Sequence, residues 1–442
     1  MCESSHLADV SPLLGNNAKS SSPPPSEDVV NLRLERFRLQ YEARKLLLNE
    51  GSKLVESGDL AFKQNIHRTA KCLFTRHSQH VDIKKSVEHD KAFYAGLVVC
   101  GSVWSCPVCA AKVQERRRVE VAQAFDWAYS ATQEKPDYKV IMVTFTFPHN
   151  AWQKLSDLLV MQSDAYRRLR SGKAWQRIKS SVGYQGMIRS LELTIGQNGW
   201  HPHTHEAWIV DPDCDVEVLR NQITDRWMMA CDRAGITINK PDAFRRRAVD
   251  IVDNARSSDY LAKQDSSKNW GADRELVKGS SKVGKHPFSL LTKSFDGDNS
   301  ASCKFLEYTF AMKGKAQLFW SRGLKDRVGV NDVSDEEIAV RQEDIATDIA
   351  KFDAEDWSVV MKAGRDARSN LLDLAENGGT TSVMAYLQTL KKMPAVIVNR
   401  ESGHPVRPES SSYKELINKL VVKLSIKSEI VIDDFIKAKI KR

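Results

Sequence analysis

The sequence predicts an α+β fold, a central sheet with helices packed around it. Three observations predict it. Runs dense in β-branched and aromatic residues alternate with charged segments of helical period. Two of those runs, MIRSLELTI and HTHEAWIV, are separated only by the turn GQNG and a short lead-in, so hairpins occur beside crossovers. Half of the eight cysteines fall within residues 70–112, a spacing that suggests a metal site rather than a disulfide scaffold.

A chain of 442 residues is too long for one small core. At roughly 150 residues per domain it holds about three units, or one enlarged domain with appendages. Lys plus Arg number 66 and Asp plus Glu 57, a net charge of +9 that leans toward a polyanionic partner, most often nucleic acid. No run reaches the ~18 apolar residues of a membrane span. The start, MCESSHLADVSPLLGNN, lacks a basic region followed by an apolar one, so a cytoplasmic protein is expected, with no membrane partner.

In order along the chain, residues 1–27 are Ser/Pro-rich with little to bury, which predicts a disordered tail. Residues 28–57 carry Leu34, Phe37, Leu46 and Leu47 among charges and read as an amphipathic helix. Residues 113–135 read as a helix, and Tyr138–Phe147 as a buried strand closed by Pro148. One or two helices fill 151–180. Strands follow at 187–195 and 203–210, a helix at about 214–234, a short strand at 248–252 and a helix over Ala255–Gln264. Residues 265–285 read as a loop and 286–325 as a helical return. A second helical region spans about 334–390 and opens on Ser334-Asp-Glu-Glu337, a capping box. Residues 402–412 read as a linker before a basic helical tail.

Cys100, Cys106 and Cys109 place three thiols within ten residues, and Cys106-x-x-Cys109 lets one turn grip a single ion. Structural zinc needs a fourth ligand. Cys72, His77 and His80 are the candidates, and Cys72 is preferred because it makes the site all-thiolate. A redox CxxC would need a preceding βαβ pattern, which is missing. The bland alternative is a reduced, buried pair with no metal.

The stretch His201-Pro-His203-Thr-His205-Glu-Ala-Trp208 is the most informative. Side chains alternate across a strand, so His203 and His205 project from one face about 6–7 Å apart and can chelate one divalent ion. Glu192 is the third candidate ligand. A turn at Asn198-Gly199 pairs it with His205, and a turn at Gln197-Asn198 pairs it with His203. Either way it shares the histidine face, whereas a slip of one residue would turn it away. Pro202 is expected to mark the strand's beginning. Further on, Tyr260 and Lys263 are i, i+3 neighbours on the expected helix. A tyrosine beside a metal-activated phosphate can attack phosphorus, with Lys263 offsetting developing charge. By itself Tyr-x-x-Lys is a weak signal.

The order of these features resembles the HUH endonucleases. More narrowly it is similar to the plasmid rolling-circle replication initiators with a single catalytic tyrosine. The resemblance is carried by YAGLVVCGSVWSCPVCAAKVQERR, SLELTIGQNGWHPHTHEAWIV, DYLAK, HPFSLL and LEYTFAMKGKAQLFWSRGL, which lie in the family's order across about 70–360. It implies an HUH-type nuclease core with a central, mostly antiparallel sheet, preceded by a small zinc-binding module and followed by a helical region. It implies site-specific nicking of one strand of the plasmid's double-strand origin, a 5′-phosphotyrosine intermediate, a 3′-hydroxyl primer and a later strand transfer. It also implies Mg2+ or Mn2+ as the catalytic ion, beside the structural Zn2+ read from the cysteines. The partners would be origin DNA, double- and single-stranded, and the host helicase and replication machinery, with a homo-oligomer allowed.

On this chain the resemblance makes His203 and His205 the ligands that name the motif, Glu192 the third, Tyr260 the nucleophile and Lys263 its helper. Thr204 replaces the hydrophobic residue usual between the histidines. Some relatives carry a carboxylate or second tyrosine one turn before the nucleophile. Here that position is Arg256, and Asp253, two turns back, is the candidate to activate water or the attacking hydroxyl. The resulting division is a tail at 1–27, a helical segment at 28–69, the zinc module and a helix at 70–135, the nuclease domain at 136–325, a helical region at 326–401, and a linker and tail at 402–442.

Residues 151–180 hold seven basic and two acidic residues, with Tyr166 and Trp175 interleaved. Arg167, Arg168, Arg170, Lys173 and Arg177 are the candidate DNA contacts, through phosphates plus base stacking. Arg116–Arg118 and Arg245–Arg247 are further triplets. Residues 331–357 hold ten acidic and two basic residues, so this segment is expected to avoid DNA and serve protein contacts. Two other readings compete: a zinc metallohydrolase using Glu192, His203 and His205, which lacks an HExxH helix and leaves Tyr260 idle, and a non-catalytic zinc-stabilised DNA-binding regulator.

Overall fold

The computed structural model describes residues 27–56, 66–132, 137–253, 285–340 and 345–392. The expected tail, the helix over Ala255–Gln264, the loop at 265–284 and the linker and basic tail lie outside these residues. So do Tyr260, Lys263 and Arg256.

The described chain begins with helix α1 (Glu27–Glu56) and a single turn, α2 (Arg68–Lys71). Strands β1 (Val81–Ser86) and β2 (Ala92–Ala95) precede the long helix α3 (Pro107–Tyr129). Then come β3 (Lys139–Phe145), α4 (Leu155–Leu169), α5 (Gly172–Ser181), β4 (Gly186–Gly196) and β5 (Gly199–Val210). Helices α6 (Val216–Arg233) and α7 (Pro241–Arg247) lead into β6 (Val249–Val252). After the undescribed segment follow α8 (Ser289–Phe295), α9 (Asn299–Ala311), β7 (Leu318–Trp320), α10 (Leu324–Val328) and α11 (Asp335–Val340). The described chain ends with β8 (Ala346–Phe352), α12 (Ala354–Lys362) and α13 (Ala367–Lys392), which breaks at Gly379.

The main sheet has five antiparallel strands in the order β6-β3-β5-β4-β7. Its centre is the pair of apolar runs expected for buried strands. On one face Phe145, Trp208 and Trp227 pack with Tyr166 and Trp175 from α4 and α5, joining helices α4 to α6 to the sheet. On the other face Met142, Ile188, Ala207 and Ile209 meet Phe125 of α3 and Leu324 of α10. These helices cover only one end of that face. The other end carries the histidines.

The β4–β5 hairpin settles the register. Glu192 lies opposite His203, and Gly196 opposite Gly199, so the loop residues are Gln197 and Asn198. The strand runs three residues upstream of Pro202, which is an interior residue and not the strand's beginning. Pro202 is tolerated because β3 pairs with β5 only from Thr204 onward, leaving one edge of β5 open there. Gly199 sits at φ +81°, and a Cβ on it would lie 2.8 Å from the Ala151 Cα. Gly199→Ala therefore combines backbone strain with a clash against backbone. It should cost about 1–3 kcal/mol in urea unfolding, whereas Gly235→Ala, with open space around it, should cost only the strain of its own φ.

A second, three-stranded sheet, β2-β1-β8, differs from expectation. Residues 346–352 fall in the region read as helical, but they form a strand paired with β1. The segment ATDIAKF is half polar and short, so its local pattern does not reveal the partner 260 residues away in sequence. Cross-strand charge supports the pairing, with Lys84 Nζ 3.0 Å from Asp348. Val81, Ile83 and Tyr94 pack with Phe37 of α1 and with Trp357, Leu371 and Leu387. The first and last parts of the described chain thus share one core, across the division drawn between zinc module and helical region.

The capping box forms as expected: Ser334 Oγ accepts from the Glu337 N–H at 3.2 Å, and Glu337 accepts from the Ser334 N–H at 2.8 Å. The acidic segment serves contacts within the chain. Asp335 pairs with Arg117 at 2.8 Å, Asp332 with Lys325 at 2.6 Å, and Asp356 with Lys391 at 2.6 Å. Among the described residues no helix is long and apolar enough to cross a membrane.

Candidate metal centres and nucleic-acid face

Alternation along β5 puts His201, His203 and His205 on the sheet face left open by α3 and α10. Glu192 on β4 lies beside them, because register partners point the same way. Its carboxylate is 3.3 Å from His203 Nε2 and 3.1 Å from His205 Nε2. One donor atom from each of the three lies within 4.8 Å of the others, the geometry for one shared ion.

Both rings are held from behind. The His203 Nδ1–H donates to the His201 carbonyl at 3.2 Å, since a carbonyl can only accept. That turns Nε2 toward the Glu192 carboxylate. The His205 Nδ1 is 2.9 Å from the Thr144 hydroxyl of β3, its register partner. Such outer partners orient metal-ligating imidazoles and fix the tautomer. Burial opposes charge on Glu192, but hydrogen bonds from His203 and His205 outweigh it and hold the carboxyl well below its usual range. The donor set, two imidazoles and one ionised carboxylate, suits a divalent ion that keeps open positions.

His201 differs from its two neighbours. The His149 Nδ1–H donates to the Asn198 carbonyl at 3.0 Å, so His149 Nε2 accepts from His201 Nδ1 at 2.6 Å. The Thr146 hydroxyl lies 3.4 Å from His201 Nε2. Burial first, then electrostatic repulsion from His203 and His149, push His201 down to about 4. His201 ties the loop after β3 to the hairpin turn and stands outside the three-ligand cluster. Sequence reading missed His149, Thr144 and Thr146, because each acts through a strand pairing or loop contact that local pattern does not show. The resemblance segment HPFSLL contributes His286, whose imidazole burial pushes down to about 4 while the Glu192 charge draws it back up.

Asp253, expected to assist the nucleophile, is half exposed and pairs with Lys139 Nζ at 3.0 Å. On β6, Asp250 lies opposite Thr144, which in turn lies opposite His205.

The opposite face of β5 is closed. Glu206 is fully buried and accepts from the Trp208 indole N–H at 2.7 Å and from Arg170. Arg170 also stacks over the Tyr166 ring at 4.6 Å. Its guanidinium is committed inside the fold, unlike the DNA-facing role expected of it. Tyr166 and Trp175 are core residues, not stacking platforms. Arg168 pairs with Asp164 at 2.7 Å and Arg167 with the same carboxylate, while Lys173 and Arg177 are exposed. In the arginine triplets, Arg117 pairs with Glu120 and Arg245 with Asp225. Trp152, 92% exposed, is an aromatic on the loop whose neighbour Ala151 lies against the hairpin turn at Gly199.

The second cluster is Cys72, Cys100, Cys106 and Cys109. All four are buried, and their sulfurs lie within 4.8 Å of one another. Cys72 is 3.5 Å from Cys109, Cys100 is 3.7 Å from Cys109, and Cys106 is 3.8 Å from Cys72. His77 and His80, weighed as fourth ligands, are not in the group. Burial opposes charge on Cys106, but hydrogen bonds from the other three thiols outweigh it and pull its thiol well below the usual value. Four thiols converging in a buried site fit a structural zinc.

Comparison with known proteins adds three findings. The family model described as replication protein matches residues 96–361, more than half of the chain. A protein from Streptomyces lividans called Protein rep is 27% identical over 308 residues, covering 53% of this chain and 65% of the relative. A protein from Streptomyces cyanogenus called Neomycin resistance protein is 33% identical over 147 residues, covering 26% of this chain and 31% of the relative. The chain thus spans less than two thirds of the length of either relative. No solved structure matches it.

Proposed function

Given that this chain belongs to the replication protein family, we propose that it initiates rolling-circle replication of a plasmid by nicking one strand at the origin. The observation that carries the reading is the convergence of Glu192, His203 and His205, all half-buried, on one sheet face. A Mg2+ or Mn2+ ion held by these three would polarise the scissile phosphate and position it for in-line attack.

The protein's own groups then divide the work. The Tyr260 hydroxyl oxygen attacks phosphorus, a new phosphotyrosine bond forms, and the bond to the 3′ oxygen breaks, leaving a 3′-hydroxyl primer. Lys263 offsets negative charge on the phosphate. Thr144 and the His201 carbonyl keep both imidazoles aimed. Lys173 and Arg177 attract the phosphate backbone, and Trp152 offers a base-stacking surface beside the site. Rejoining at termination reverses the chemistry on a second strand, with Asp253 assisting the attacking hydroxyl. Origin DNA and the host replication machinery are the partners of this reading.

Incubating the protein with supercoiled cognate plasmid and Mn2+ should yield an open circle with protein attached to the 5′ end. Chelator should suppress it. Nicking without an adduct would point instead to a hydrolase, and binding without nicking to a regulator. Glu192→Gln should keep DNA binding but raise the Mn2+ concentration needed for half-maximal nicking by at least about tenfold, since one charged ligand is lost. An unchanged Mn2+ dependence would remove Glu192 from the ligand set.

A further inference from the structure

Arg368 on α13 is 1% exposed, and no carboxylate pairs with it among the described residues. A buried, unpaired guanidinium is strongly unfavourable unless some anion lies close. Its contacts lead to one. Arg368 Nη1 donates to Gln40 Oε1 of α1 at 2.8 Å. Gln40, itself fully buried, donates through Nε2 to Cys106 Sγ at 3.5 Å and to the Cys72 carbonyl at 3.2 Å. Arg368 Nη1 also donates to the Leu73 carbonyl at 3.2 Å. Leu73, directly after Cys72, has φ +54°, a conformation that a non-glycine residue adopts only when held. The Phe74 ring lies 3.7 Å from the guanidinium carbon, closing the pocket.

Four thiolates around a divalent ion carry a net charge of −2 in the same buried region. We propose that Arg368, relayed by Gln40, is the counter-charge of a zinc-loaded tetracysteine centre and locks α1 and α13 onto it. The cysteines sit in the core shared with the five-stranded sheet, whereas α13 belongs to the core of the three-stranded sheet. Leu73 and Val108, flanking Cys72 and Cys109, pack against both cores. The metal centre is therefore the joint between the two sheets, and its charge is what makes a buried arginine on α13 favourable. This goes beyond the nicking reading and does not depend on it.

The test uses the full zinc-loaded chain. Zinc affinity is read by competition with a chromogenic chelator, and stability by urea unfolding with and without zinc. Arg368→Met, close in volume but uncharged, should weaken zinc binding about tenfold to hundredfold, the range for outer partners of a metal site. In the zinc-free protein the same change should be neutral or stabilising, because it removes an uncompensated charge. Arg368→Lys should recover much of the affinity. Phe37→Leu, which trims packing on the α1 side of Arg368, should lower stability with zinc affinity unchanged. If zinc-free protein does not fold, the chelator competition on loaded protein decides alone. The proposal is overturned by a wild-type chain that binds no zinc, or by an Arg368→Met variant with wild-type zinc affinity.

Discussion

Tyr260→Phe is expected to abolish both nicking and the covalent adduct, by ~10³-fold or more, while leaving origin binding within about twofold. The change removes one oxygen. On the single-tyrosine reading Tyr260 alone supplies the oxygen that bonds phosphorus, so the variant forms no adduct. A phenylalanine keeps the ring, and the residues proposed to hold DNA, Lys173, Arg177 and Trp152, lie elsewhere in the chain. Plasmid relaxation and a denaturing gel for protein-bound DNA read the two losses together. If Tyr260→Phe nicks at the wild-type rate, the nucleophile is another residue and the single-tyrosine reading fails. If nicking persists without an adduct in wild type and variant alike, water is the nucleophile. The hydrolase reading, with Glu192, His203 and His205 as its ligands, then holds.

Cys106→Ser is expected to release zinc and destabilise the chain by on the order of 4–5 kcal/mol, in the range reached when a metal site is lost. Cys106 begins α3 and is fully buried. Its sulfur lies 3.8 Å from Cys72 Sγ and accepts from the Gln40 amide at 3.5 Å. A serine is similar in size but a poor zinc ligand, and its hydroxyl would face three thiols with little to satisfy it. The effect should reach beyond the cysteine segment, because the site joins both cores. Hydrogen exchange should show faster opening in β1 and α13 as well as around Cys100. Zinc per chain should fall from about one to near zero under mild chelation. Cys303→Ser, on an exposed cysteine outside the cluster, is the control and should change neither measurement.

Much of this molecule is readable locally. The histidine face follows from alternation, and Glu192 from the reach of a two-residue turn. The position of Cys72 follows from the need for a fourth ligand. The strands β3, β4 and β5 are apolar enough to announce themselves. Other parts depend on partners distant in sequence. The strand at 346–352 has a weak pattern of its own and exists because β1 offers it an edge. Arg170 reads as one basic residue among seven. Only the packing shows that it faces Glu206 and not solvent. Trp175 and Tyr166 likewise read as interleaved aromatics, yet the core claims them.

Sequence by itself determined which side chains alternate onto one strand face and which cysteines are spaced to share an ion. These follow from backbone geometry over a few residues, where the pleat and the helical turn leave little freedom. Tertiary structure alone decided which charges remain available. The acidic segment neutralises basic residues of its own chain, and Arg368 is buried toward four thiols. That choice is set by long-range packing and desolvation, which act between segments hundreds of residues apart and leave no local trace.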